Sequence, residues 1–98
     1  MSTTLLSDDT PVDFELLQNY PNPFNPLSLI QYALPQPAVV LLELYKIIGR
    51  RIVLLVEEQK IVGWHETSFD ASSLASGIYI NRIQTGSFVK TRKMVLVK

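Results

Sequence analysis

From residue 14 onward, short apolar runs alternate with breaks of Pro, Gly, Asn, Ser or charge. The runs cover residues 14–18, 28–34, 39–45, 51–56, 61–69, 78–84 and 88–97. They are rich in Val, Ile, Leu and Tyr, which suit a pleated, half-buried surface. Their length and spacing predict strands rather than helices. About seven short strands is the count of an all-β, immunoglobulin-like antiparallel β-sandwich. A two-residue period places Ile30, Tyr32 and Leu34 on one face, and likewise Val40, Leu42 and Leu44. Tyr79 and Ile83 share a face with Asn81 between them, and all three sets are read as inward. The outer faces should meet water, yet Leu29, Leu41, Val53 and Leu54 fall there. That predicts an apolar surface covered by something, with self-association into a homodimer as one candidate.

The breaks carry their own signals. Pro35 and Pro37 end the second run, and Lys46 to Gly49 form a turn in which Gly49 supplies positive φ. Glu57, Glu58, Gln59 and Lys60 read as a charged loop, Gly63 interrupts the fifth run, and Asp70 to Gly77 read as a loop capped by Asp70. Thr85-Gly86 reads as a hairpin turn. Asn19-Tyr20-Pro21-Asn22-Pro23-Phe24-Asn25-Pro26 is different in kind. Its prolines remove ladder donors and hold the preceding residues extended. Asn19, Asn22 and Asn25 are free to bond backbone instead, and Tyr20 and Phe24 can plug the end of a sandwich.

This segment, with Leu17 and Gln18 before it, resembles the opening motif of the type IX secretion system C-terminal sorting domains (type A), found on exported proteins of the Bacteroidetes and related lineages. The resemblance runs on through Ser28 to Pro35, Leu44-Tyr45 with Gly49-Arg50, Gly63 and His65, Asp70, Leu74-Ala75-Ser76-Gly77-Ile78-Tyr79, and Thr91-Arg92-Lys93-Met94 to Lys98. The chain departs from the family pattern at Lys46, where Asp or Asn is usual, at Phe69, where Trp is common, and at the inward Asn81. The fold is also similar to the immunoglobulin-like domain of the flagellar hook-capping protein. The resemblance implies a non-catalytic sorting and anchoring module of a larger secreted precursor. Its implied partners are the outer-membrane type IX translocon and a sortase-like peptidase that attaches the cargo at the Gram-negative cell surface. It implies that Lys93, Val95, Leu96, Val97 and Lys98 form part of the address, readable by strand addition to an exposed edge.

Charge and chemistry narrow the alternatives. Nine basic and nine acidic residues cancel, which gives no field for a nucleic acid. There is no cysteine, so disulfides, thiolate metal sites and a cysteine nucleophile are excluded. His65 is the sole histidine, and on a strand it faces away from Ser68 and Asp70. Adjacent Glu57 and Glu58 lack the separation across a cleft that paired-carboxylate chemistry needs. No phosphate loop is present, so neither an enzyme nor a small-molecule cofactor is expected. A module binding carbohydrate or protein is the main alternative, with Trp64, Tyr45 and Tyr32 as its candidate aromatic platform. Residues 1–13 read as a linker and 14–98 as the domain. The first thirteen residues have neither a basic nor an apolar leader segment, so any signal peptide is expected elsewhere on a longer precursor.

Overall fold

A computed structural model describes residues 10–98; residues 1–9, most of the expected linker, lie outside the described part. Its strands are β1 (Glu15–Leu16), β2 (Leu27–Leu34), β3 (Ala38–Lys46), β4 (Arg51–Lys60), β5 (Gly63–Asp70), β6 (Gly77–Thr85) and β7 (Phe88–Leu96). They form two antiparallel sheets, β1-β2-β5 and β4-β3-β6-β7, packed face to face as an immunoglobulin-like sandwich. The alternating side chains read as inward are the core: Ile30, Tyr32, Leu34, Val40, Leu42, Leu44 and Ile83 are fully buried and Tyr79 nearly so. Leu16, Phe69, Met94 and Leu96 complete it from the other strands.

The structure corrects the expected layout in several places. The first run pairs only over Glu15–Leu16, and one further backbone bond, from Leu17 to Gln31, precedes the proline segment. The residues read as a charged loop, 57–60, continue β4, pairing with Leu41, Val40, Val39 and Ala38. An edge strand tolerates such charges because one side has no neighbour to desolvate them, and they discourage pairing with another chain. Glu58 and Lys60 form an ion pair of 2.7 Å there, which lowers the Glu58 pKa and raises that of Lys60. Gly63 opens β5 rather than interrupting it, and Ile61 and Val62 carry the chain between sheets. The last hairpin turns at Gly86-Ser87, because Thr85 is still paired with Phe88. Gly86, at φ 60°, adopts the left-handed backbone that this two-residue turn demands.

Two irregularities in the β3–β4 ladder invert part of the expected facing. Register shifts between Leu42 and Glu43 and between Leu44 and Tyr45 put Val53 opposite the inward Leu44. Each bulge adds a residue to one strand and resets its alternation. Val53 therefore packs against the core rather than facing outward.

Asn81 occupies the inward position flagged above. It is fully buried, and neither its side-chain oxygen nor its nitrogen has a hydrogen-bond partner. Leaving buried polar groups unpaired costs about 1–3 kcal/mol. Asn81→Leu should accordingly raise the unfolding free energy by roughly that amount in a urea titration. A lower midpoint would mean that water already satisfies the amide.

Candidate functional site

β2, β4 and β6 begin, and β3, β5 and β7 end, at one pole of the sandwich. Most of the residues that carry the resemblance meet there: residues 19–26, Gly49 and Arg50, Asp70, Gly77, Tyr79 and residues 95–98. Others do not: Gly63 lies at the far pole opposite Leu34, and His65 pairs with Tyr32 two residues further in.

The proline segment is the centre of this pole. Its bonds to Pro21, Pro23 and Pro26 are cis. Asn19 is buried, donating to the Pro21 carbonyl at 3.0 Å and to Ser28 Oγ at 2.8 Å. Phe24 inserts into the core, 2% exposed and 6.4 Å from the Phe69 ring. Tyr20, expected to plug the same end, instead stands in solvent. Its backbone is held at an isolated bridge to Leu29, and the interior position at this end is taken by Phe24. Asn25 is exposed, and the Pro26 carbonyl accepts from Ala71 at 3.0 Å.

The segment lies along the outer edge of β7. Phe24 N donates to the Val95 carbonyl at 2.9 Å, and Val97 N donates to the Phe24 carbonyl at 3.0 Å, as a parallel bridge centred on Leu96. Asn22 Oδ1 accepts from Val95 N at 2.9 Å, and Gln18 Nε2 donates to the Lys93 carbonyl at 2.6 Å. Upstream, Arg92 Nε donates to the Leu16 carbonyl at 2.9 Å. The C-terminal strand is thus tied to the residues that open the domain, more than seventy positions earlier. Of the proposed address, Leu96 is buried in the core, Val95 is half-buried, and Lys93, Val97 and Lys98 are exposed.

The neighbouring loops fasten the same pole. Asp70 Oδ1 accepts from Ser72 N at 2.9 Å; hydrogen bonding from Ser72 holds the Asp70 pKa low, with Lys98 adding a favourable charge. Lys98 Nζ donates to the Ser72 carbonyl at 2.7 Å, and Lys98 N to Ser76 Oγ at 3.0 Å. Tyr79 OH donates to the Ala75 carbonyl at 2.6 Å, and Gly77 pairs with Leu96. Gly49 closes the β3–β4 turn at φ 95°, with its N–H on the Lys46 carbonyl, and leaves Arg50 exposed. The sequence assigns no individual role to Gln18, Ser72 or Ser76, although Gln18 and Ser76 belong to segments that carry the resemblance. Their partners lie 75, 26 and 22 residues away, so no local pattern announces them.

The other candidates separate. Leu29 borders a shallow apolar depression with Tyr20, Pro21 and Leu27 on the outside of the three-stranded sheet. Leu41 and the partly exposed Leu54 belong to the four-stranded sheet, so the four residues share no single surface. Trp64 and Tyr45 are likewise on different sheets, and Tyr32 is buried beneath the His65 ring, 5.3 Å away, so the three make no common platform. Burial raises the Tyr32 hydroxyl pKa above its ordinary value. His65 is fastened by Nε2 to the Ile61 carbonyl at 2.8 Å.

One polar cluster on the four-stranded sheet was not anticipated. Glu43 points outward yet is 4% exposed, because Arg51 at 3.0 Å, Tyr45 OH at 3.1 Å and Arg82 at 3.5 Å close over its carboxylate. Hydrogen bonds to charged groups are strong, but Arg51 is more than half exposed and screened. Glu43→Ala should cost roughly 1–2 kcal/mol in a denaturant titration, and less in high salt. No change at low salt would show that the carboxylate contributes nothing.

Among the described residues no group of three or more His, Cys, Asp or Glu side chains could hold a metal ion. Asn19, Asn22, Asp70, Ser72, Ser76, Tyr79 and Lys98 bond within the motif pole, which makes it a shaped surface built on the last strand. In comparison with known families, residues 18–98 match the family described as the secretion system C-terminal sorting domain. No curated protein and no solved structure matches the chain.

Proposed function

The chain belongs to the secretion system C-terminal sorting domains and so carries a sorting signal for type IX secretion, and from that premise we propose that it acts as a non-catalytic address and anchor for a larger exported protein. Such a signal engages the type IX machinery and sends its protein to the cell surface or beyond. In this reading the outer-membrane translocon receives the motif pole, and a sortase-like peptidase then separates the domain from its cargo and leaves the cargo attached at the surface. The observation that carries the reading is the fastening of the last strand, Lys93 to Val97, by the motif segment that opens the domain.

The reading is tested by fusing a signal peptide and a fluorescent reporter ahead of residues 14–98. The fusion is expressed in a host with type IX secretion and in the same host lacking the translocon. Surface fluorescence only in the competent host is expected. Equal periplasmic retention in both would rule out sorting.

A further inference from the structure

The outer edge of β7 has two halves. In the second half four outward-pointing backbone groups are engaged: the Lys93 carbonyl by Gln18, Val95 N by Asn22, the Val95 carbonyl and Val97 N by Phe24. In the first half, Val89 and Thr91 point the same way and have no backbone partner on that side among the described residues. Only Phe24 contributes backbone bonds to the covering segment. The rest is side-chain amide from Gln18 and Asn22, because Pro21 and Pro23 have no donor to give. The segment therefore ends the sheet while mimicking one short stretch of strand.

We propose that the Lys93–Val97 edge is a strand-acceptor site for an extended segment of the export machinery, and that Asn22 to Phe24 occupy it as a displaceable placeholder. The partner is defined by what the edge asks for. It is an extended backbone offering regular donors and acceptors at Lys93, Val95 and Val97, with an apolar side chain for the space Phe24 vacates. The unpaired stretch at Val89 and Thr91 lets such a strand begin pairing before it displaces Phe24, so the edge need not open in one step. Until then the covered edge is shielded from pairing with other chains. This inference rests on the sorting reading and adds that sorting requires the segment to leave the edge.

A disulfide that locks the segment down distinguishes the two. The chain has no cysteine, so an introduced pair is unambiguous. Asn25 and Val97 are both exposed and lie one residue beyond the Phe24–Leu96 bridge on their respective strands. The reporter fusion would carry Asn25→Cys with Val97→Cys, and the control is the same double variant in the same host grown with reductant, so that any effect of the substituted side chains is common to both arms, with disulfide formation verified by gel mobility. The expected result is that the cross-linked form is retained in the periplasm, in a folded state that resists proteolysis, with a several-fold lower surface signal than its reduced counterpart. Equal surface signal from the cross-linked and reduced forms, at any level, would overturn the placeholder while leaving the sorting role intact. Retention of every form, the unmodified domain included, would overturn the sorting reading and this inference with it.

Discussion

Phe24→Ala is expected to lower the unfolding free energy by about 3–5 kcal/mol, the cost of removing a fully buried aromatic ring. Phe24 is 2% exposed and packs on Phe69, so the cavity would open at the end of the sandwich, where both sheets meet the proline segment. Domains of this size have only about 5–15 kcal/mol in total. The variant should therefore sit near its unfolding transition under ordinary conditions. Phe24→Leu keeps much of the buried carbon and should cost about 1–2 kcal/mol. Urea titrations of the three proteins check this. A loss below about 1 kcal/mol for Phe24→Ala would mean that the segment is not seated in the core.

The second large effect is on export. Deleting Val95 to Lys98 is the obvious test of a C-terminal address, but the structure shows that it would confound sorting with folding. It removes the buried Leu96 and every backbone hydrogen bond made by Phe24. Lys93, Val97 and Lys98 present exposed side chains instead, and Lys98 makes only surface hydrogen bonds. Lys93→Glu with Val97→Asp and Lys98→Glu should leave each position within about 0.5 kcal/mol of its original stability. If the machinery reads those side chains, the same variant should lose at least about tenfold in surface display, which corresponds to only about 1.4 kcal/mol of recognition. Unchanged display with unchanged stability would move the address away from the side chains of the last strand.

Much of the architecture was legible because burial imposes a two-residue period. Ile30, Tyr32 and Leu34, or Val40, Leu42 and Leu44, declare their face without any neighbour being known. The period fails where geometry rather than hydropathy decides. Bulges in β4 turned Val53 inward, and an apolar run cannot announce an extra residue in its own ladder. Glu57 to Lys60 looked like a loop because charge is the usual sign of one, yet an edge strand accommodates it. Leu29 and Leu41 looked like one surface because each faces outward, but strand alternation does not say which sheet a strand will join. The motif residues at the pole were visible through resemblance. Their interlocking was not, since Gln18 meets Lys93 and Asn22 meets Val95 only after the two ends of the domain fold together.

The most direct test of the account is the ratio of surface to periplasmic reporter for residues 14–98, measured beside the triple variant Lys93→Glu, Val97→Asp, Lys98→Glu, with the unfolding midpoint of each domain determined in parallel. The account predicts a high ratio for the unmodified domain, a low ratio for the variant, and matching midpoints. A low ratio for the unmodified, folded domain would contradict it.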